Sequence, residues 1–146
     1  MPNVPIVFNY ADVKSIALKN KTGLKTFIFS VFKREKKRVA SINYIFCSDQ
    51  YLLQINKDFL LHDYYTDIIT FDLSDKNAIV GEIYISVDRV KDNANVQGTS
   101  FSNELLRVMF HGVLHLCGYG DKTKSEITVM RQKEDYYLLC FDKLNK

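Results

Sequence analysis

The chain of 146 residues has a formal net charge of +3 and is 47% hydrophobic, which argues against intrinsic disorder. It contains no run of about 18 apolar residues, so the sequence predicts no transmembrane helix and no membrane partner. The three cysteines, Cys47, Cys117 and Cys140, are scattered and form no C-x-x-C pair. This pattern is typical of reduced thiols and predicts a cytoplasmic protein.

Hydrophobic periodicity divides the chain into strands and helices. Short runs rich in β-formers predict strands, whereas apolar residues that recur at helical spacing predict helices. The predicted strands are Val4–Tyr10, Val39–Cys47, Asp67–Leu73 and Ala78–Ser86. We expect the last two to form a hairpin. The predicted helices begin near Thr22, Ser48, Val87, Ser100 or Ser102, and Thr123.

Caps and composition refine two of these helices. Thr22 is a plausible N-cap of the first helix, and Thr123 with Glu126 forms a capping box at the start of the last helix. The helix that ends near Leu116 is apolar nearly all round, so it is predicted to be buried.

The order of these elements predicts an α+β fold. We expect a single mixed β-sheet of about four strands packed with about five helices, with the histidines of the chain's main motif on the buried helix. No linker, repeat or low-complexity segment divides the sequence, so residues 1–146 are predicted to form one domain.

Positive charge is concentrated in residues 11–38. This segment has nine lysine or arginine residues against two acidic residues, a balance of +7, so the rest of the chain carries −4. Its densest part contains Lys33, Arg34, Lys36, Lys37 and Arg38. Such a segment can bind a polyanion, because neutralised phosphates release counterions, or it can be a solvated helix face.

The most informative stretch is Phe110–Asp121, which contains two of the three histidines. His111 and His115 are four residues apart, so in a helix they lie on one face about one turn apart and can share a metal ion. Gly118 can end the helix and turn the chain back towards them. We therefore predict a metal site with the ligands His111, His115 and Asp121 and a fourth position open to water.

The ligand types suit Zn²⁺, and Ni²⁺, Mn²⁺ or Fe²⁺ are also compatible with them. Three protein ligands favour a catalytic metal, although a structural metal is an alternative. The same spacing, with a third ligand ten residues after the first histidine, occurs in the metzincins, zincin-type metalloproteases that have a glutamate directly after the first histidine as general base. That position is Gly112 here, so peptide hydrolysis is disfavoured.

The sequence at this point resembles the YbeY family of endoribonucleases, which are rRNA maturation factors. Residues 111–121, HGVLHLCGYGD, are similar to the family pattern H-G-x-L-H-L-x-G-Y-D-H. Thr66–Phe71 (TDIITF) and Gly81–Ile85 (GEIYI) match the patterns T-[DN]-[VI]-[LI]-[ST]-F and G-[DE]-I-x-I. Ile55–Phe59 matches the asparagine-led helix end that precedes them.

The resemblance implies a metal-dependent hydrolase, a zinc endoribonuclease that cuts single-stranded RNA. It implies a role in rRNA maturation, at the 3′ end of the small-subunit rRNA, and in ribosome quality control. The expected partners are rRNA and the ribosome or its small subunit, and no DNA is expected. In such an enzyme Thr66 and Asp67 would line the cleft, and the basic residues of the 11–38 segment would track the RNA backbone.

Two positions depart from the family pattern. The third ligand is usually histidine, whereas this chain has Asp121, which lowers the charge of the site by one and should make a bound water less acidic. Many members have an arginine where this chain has Leu60. Nearby His62 is a candidate for a phosphate contact or a proton shuttle, although a histidine in such a position is more often an ordinary loop residue. The sequence identifies no general base.

Two alternatives to RNA cleavage therefore stay open. A non-catalytic ribosome assembly factor with a structural metal is favoured by the missing arginine at position 60. A zincin-type metalloprotease is disfavoured by Gly112.

Overall fold

The computed structural model describes residues 4–145, which form four strands and five helices. The strands are β1 (Ile6–Tyr10), β2 (Val39–Cys47), β3 (Ile68–Asp72) and β4 (Ile79–Ser86). The helices are α1 (Lys21–Arg34), α2 (Asp49–Leu60), α3 (Val87–Gln97), α4 (Phe101–Leu116) and α5 (Lys124–Leu144). The predicted order of elements is confirmed. The bounds of β2 match the prediction, and those of the other three strands differ from it by at most two residues.

The four strands belong to one mixed sheet with the order β1-β2-β4-β3. β2 runs parallel to both of its neighbours, with Tyr44 opposite Phe8 of β1 on one side and Ile83 of β4 on the other. β3 is antiparallel to β4, so the predicted hairpin is confirmed. Parallel neighbours need crossover connections, and α1 provides the one between β1 and β2. The α+β prediction is therefore confirmed.

Successive residues of a strand point to opposite faces of the sheet, and the two faces have separate cores. Tyr44 and Phe46 of β2 belong to the main core, which also contains residues of α1, α3, α4 and α5. Cys47 points to the other face, where it packs with Leu52 of α2 and Ile69 of β3. The sheet is thus covered on both faces.

Helix α4 lies directly on the sheet. The hydroxyl of the buried Tyr44 donates to the carbonyl oxygen of Met109 at 3.0 Å. The sheet residue below the end of the helix is Gly81, where an added Cβ would lie 2.6 Å from Leu116 Cδ1. A side chain larger than hydrogen at position 81 would therefore force the side chain of Leu116 to move.

The start of α1 differs from the prediction that Thr22 caps it. The N-cap is Asn20, which has a left-handed φ of 53° and accepts a hydrogen bond from the Gly23 N–H at 3.1 Å. Asparagine visits this conformation more readily than most residues because its short side chain bonds locally. Thr22 lies inside the helix. The capping box at Thr123–Glu126 is confirmed, and Ser100 is the N-cap of α4.

The helices and cysteines of residues 4–145 bear on the predictions about membrane spans and thiols. None of the helices there combines the length and the apolar character needed to cross a membrane. Cys47, Cys117 and Cys140 all have free thiols, as their scattered positions predicted.

We expect Gly81→Ala to lower the free energy of unfolding by about 1–3 kcal/mol, because the new Cβ overpacks the core against Leu116. Equilibrium unfolding in urea measures the change. The same substitution in a Leu116→Ala background should cost less, because the side chain that it meets is gone. An equal cost in both backgrounds would contradict this explanation.

Candidate metal centre

Helix α4 is mostly apolar but has a polar stripe that extends to its C-terminal end. Glu104, Arg107, His111 and His115 recur at intervals of three or four residues, which places them on one side of the helix. All four line the same cleft. The side chains of His111 and His115 are 21% and 31% exposed. Both imidazoles are therefore mostly packed against neighbouring residues and are still accessible from the cleft.

The chain turns back after α4 and brings Asp121 to the two histidines. Gly118 has a left-handed φ of 105°, as predicted for this turn. Asp121 Oδ2 lies 3.2 Å from His111 Nε2 and 3.2 Å from His115 Nε2. The predicted clustering of the three residues is therefore confirmed. That they bind a metal ion stays a prediction.

The spacing of the donor atoms suits a small divalent ion. One ligand atom from each of the three residues lies within 4.8 Å of the others. Two ligands of a tetrahedral Zn²⁺ are about 3.3 Å apart, since each bond is about 2.0 Å long. The two histidine–aspartate separations of 3.2 Å are close to that value. The side chain of Asp121 is 40% exposed, so the cluster is accessible from solvent.

Glu134 of α5 orients His111, a role that the sequence motifs did not reveal. Glu134 is 4% exposed, and its Oε2 lies 2.6 Å from His111 Nδ1. The carboxylate accepts a hydrogen bond from Nδ1 and so leaves Nε2 as the nitrogen that faces Asp121. Burial alone would lower the pKa of His111, but the hydrogen bond and the charge of Glu134 raise it.

The apolar pattern of α5 indicates that Glu134 lies on the buried face of the helix. This residue lies at helical spacing from Met130, Tyr137 and Phe141, which are all buried. A carboxylate on an apolar helix face needs a partner, because an unpaired buried charge is costly. A histidine of the metal motif is such a partner.

Two arginines contact the same carboxylate. Arg107 donates from Nη1 to Glu134 Oε1 at 3.0 Å and from Nη2 to Asp135 Oδ1 at 2.7 Å. Arg131 Nη1 lies 3.5 Å from Glu134 Oε1, and its side chain is 54% exposed. Arg107 is therefore fixed against α5, whereas Arg131 is accessible to a ligand.

The cleft has a volume of about 650 Å³ and an acidic lining. Its carboxylates are Asp67, Asp72, Glu104, Asp121 and Glu134. Among the described residues, the arginines or lysines that line it are Arg107 and Arg131, so its formal charge with neutral histidines is −3. A bound divalent cation would change the formal charge of the cleft from −3 to −1, and the cleft would then repel a phosphate less strongly.

Thr66 and Asp67 lie in the wall of this cleft, although their binding of a substrate stays a prediction. Asn93 Nδ2 donates to Asp67 Oδ2 at 3.2 Å, and the Asp67 carbonyl oxygen accepts from the Ser86 N–H at 2.9 Å. Burial raises the pKa of Asp67, and the charge of His111 offsets part of that effect. Asp67 is thus a fixed carboxylate on the sheet side of the cleft.

The predicted RNA-tracking residues lie outside the cleft lining. All five are exposed, at the end of α1 or in the turn before β2: Lys33, Arg34, Lys36, Lys37 and Arg38. Their contact with RNA stays a prediction, and it requires an RNA that extends beyond the cleft.

His62 and Leu60 also lie outside the cleft lining. His62 is exposed, its ring stacks on Tyr64 with centroids 5.1 Å apart, and its Nδ1 is 2.9 Å from the Tyr64 hydroxyl. Leu60 ends α2 and is 41% exposed. The suggested catalytic role of His62 stays untested.

Gly112, which follows the first histidine, packs against the sheet. A Cβ at this position would lie 3.0 Å from Ile83 Cδ1 and 3.1 Å from Ile68 Cδ1. A larger side chain here would displace these core side chains, so the packing of α4 on the sheet disfavours the glutamate that zincin-type proteases have at this position.

A partly buried carboxylate anchors the loop that carries Asp121. The Tyr119 hydroxyl donates to Glu35 Oε1 at 2.6 Å, and the Tyr137 hydroxyl donates to Glu35 Oε2. Lys133 Nζ donates to Oε2 at 3.1 Å. Burial alone would raise the pKa of Glu35, but these three hydrogen bonds lower it. The loop is thereby tied to the end of α1 and to α5.

Comparison with known proteins finds relatives in sequence that are named as endoribonucleases, and a solved structure with a similar fold. The family model described as Endoribonuclease YbeY matches residues 8–142. A protein named Endoribonuclease YbeY from Cytophaga hutchinsonii is 52% identical over 130 residues, covering 88% of this chain and 91% of the relative. One of the same name from Flavobacterium johnsoniae is 45% identical over 136 residues, covering 93% and 96%. The solution structure of TM1509 from Thermotoga maritima matches with a TM-score of 0.65 at 30% identity, covering 90% of this chain and 86% of that chain.

We expect Glu35→Gln to lower the free energy of unfolding at neutral pH by about 1–3 kcal/mol, because it weakens hydrogen bonds made to a charged group. Folding lowers the pKa of Glu35 below its usual 4.5. Its contribution is therefore complete above the unfolded-state pKa and is lost as the pH falls through the folded-state pKa. Urea unfolding at a series of pH values should show the parent and the variant converging in acid.

The matched control for this experiment is Asp92→Asn, which removes an exposed carboxylate, 64% accessible, on α3. It should change the free energy of unfolding by less than about 0.5 kcal/mol. If Glu35→Gln lowers the free energy of unfolding by the same amount at neutral and at acid pH, the proposed linkage to the ionisation of Glu35 is contradicted.

Proposed function

Because the chain belongs to the YbeY endoribonuclease family, we propose that it is a zinc-dependent enzyme that cuts single-stranded RNA. It would act in the cytoplasm, in maturation of the 3′ end of the small-subunit rRNA and in ribosome quality control. Its partners would be rRNA and the ribosome or its small subunit. Residues 1–146 would act as one domain, which is supported by a main core that extends from Ile6 to Phe141.

The observation that carries this proposal is the cluster of His111, His115 and Asp121 in an open cleft. These residues would hold one zinc ion, or nickel or another divalent transition metal. Such an ion would supply a Lewis acid and lower the pKa of a water molecule. Glu134 supports this role, because its hydrogen bond directs Nε2 of His111 towards the other two ligands.

The charge of the cleft implies that a reaction on a polyanion would depend on a bound cation. With a formal charge of −3, the lining alone repels phosphate. Arg131 is the residue best placed to contact a phosphate, since it lines the cleft and is 54% exposed. It would make the contact that the family pattern gives to an arginine where this chain has Leu60.

The exposed basic residues at 33–38 would contact RNA outside the cleft. Glu35, which lies among them, accepts a hydrogen bond from Tyr119 in the loop between the ligands His115 and Asp121. RNA that leaves the cleft over this loop would therefore meet the basic side chains, which bind the backbone electrostatically.

The first experiment is cleavage of a labelled single-stranded RNA by the purified protein. We expect cutting that a chelator abolishes and that added zinc restores. His115→Ala should lower the rate by more than about 100-fold, because losing a ligand costs more than losing the partner of a ligand. Thr128→Ala, an exposed substitution on α5 outside the cleft, is the control and should cut at the parent rate.

The outcomes separate the three hypotheses. Cutting that survives chelation and His115→Ala would contradict metal dependence. Ribosome association without any cutting would favour an assembly factor with a structural metal. Cleavage of a peptide but not of RNA would favour a metalloprotease.

Metal affinity gives a second prediction that does not depend on activity. We expect Glu134→Gln to weaken zinc binding by about 10–100-fold, because it loosens the orientation of His111. Competition with a coloured chelator measures the affinity. The control is Asp135→Asn, which alters the other carboxylate bound by Arg107 and leaves the contact to His111 in place. Equal affinities of the parent and Glu134→Gln would contradict the orienting role.

A further inference from the structure

One buried carboxyl group in the cleft has an oxygen that no other group of residues 4–145 binds. Glu104 of α4 is 3% exposed, and its Oε1 is buried with no hydrogen-bond partner among those residues. The same residue lines the cleft that contains His111. A buried polar atom without a partner costs free energy, so the hydrogen-bond donor for Oε1 is expected to come from a ligand in the cleft.

The neighbouring arginines do not supply this donor. Arg107 lies one helical turn after Glu104, but its Nη1 donates to Glu134 and its Nη2 donates to Asp135. Arg131 also contacts Glu134. Both arginines are therefore paired with carboxylates of α5, and Glu104 keeps an unused acceptor.

A second carboxylate strengthens the acceptor character of this part of the cleft. Asp67 lines the same cleft and interacts electrostatically with Glu104. Asn93 holds Asp67 in position with a hydrogen bond of 3.2 Å. Burial raises the pKa of Glu104, and the charge of Arg107 offsets part of that effect. Together the two carboxyl groups favour a ligand with N–H donors and disfavour carbonyl oxygens.

The position of Glu104 decides which part of an RNA it would meet. Glu104 precedes His111 by seven residues, so it lies on the same side of α4 and about 10 Å away along the helix axis. This separation is comparable with the reach from a phosphate to the pairing edge of its own base. A phosphate held beside the histidines would thus place a nucleobase near Glu104.

We propose that Glu104, together with Asp67, binds the Watson–Crick edge of a nucleobase and that the preferred base is guanine. Guanine is the standard base with two adjacent N–H donors on this edge, and these match the two oxygens of a carboxylate. Uracil has one N–H between two carbonyl oxygens, which the carboxylates disfavour. Single-stranded RNA exposes this edge to proteins. The inference rests on the proposed function, because it takes RNA as the substrate.

The test uses zinc-loaded protein and a single-stranded oligouridine RNA with one internal guanosine. The readout is the ratio of cutting beside the guanosine to cutting elsewhere in the same molecule, so a change in overall rate cancels. We expect the parent to prefer the bonds beside the guanosine by about tenfold. Glu104→Gln should lose most of this preference, because its amide replaces one acceptor with a donor.

Two comparisons control for folding. Asp92→Asn removes an exposed carboxylate outside the cleft lining and should keep the preference. Inosine in place of guanosine removes the N2 amino group and keeps N1–H, so the unmodified protein should lose part of its preference. The inosine result needs no variant, and it stands even where Glu104→Gln fails to fold.

Equilibrium binding of the same RNAs separates failure of this inference from failure of the proposed function. A parent that cuts RNA without preferring guanosine, or a preference that folded Glu104→Gln retains, overturns the inference and leaves the function standing. A parent that cuts no RNA contradicts the proposed function. In that case the inference is supported if the parent binds the guanosine-containing RNA more tightly than the inosine-containing RNA and Glu104→Gln loses this difference. Equal binding of these two RNAs by the parent overturns it.

Discussion

The carboxylate of Glu134 joins α4 and α5 at the point where the ligand cluster lies. It accepts hydrogen bonds from His111 and Arg107 and is 4% exposed. In such low-polarity surroundings hydrogen bonds are strong, and leaving one partner unpaired is costly. The orientation of one imidazole therefore depends on how two helices pack, even though the three candidate ligands are close together in sequence.

This difference between local and tertiary contacts explains what the sequence could predict. His111, His115 and Asp121 were predictable because helical spacing and a turn at Gly118 bring them together within a few residues. The strands and the capping box followed from equally local patterns. Asn20 was missed, because a left-handed N-cap outside the usual extended conformation has no simple sequence signature.

The lining of the cleft was the least predictable feature. The chain as a whole is basic, with a net charge of +3, whereas the cleft lining carries −3. Composition singles out the basic run at 33–38. The residues that line the cleft instead come from β3 and the two residues before it, from α3, α4 and α5, and from the loop that carries Asp121. Glu104 and Arg107 have no motif of their own, since their roles depend on which groups of α5 lie opposite them.

The sheet order also affects how the chain is made. β2 lies between β1 and β4, and Tyr44 of β2 pairs across to Ile83 of β4. During synthesis β2 is complete well before β4, so its apolar face and its open edge stay uncovered while the intervening residues are added. Uncovered strand edges are sites where chains pair with one another and aggregate. Residues 4–47 are therefore the part of a nascent chain that most needs protection until β4 has been made.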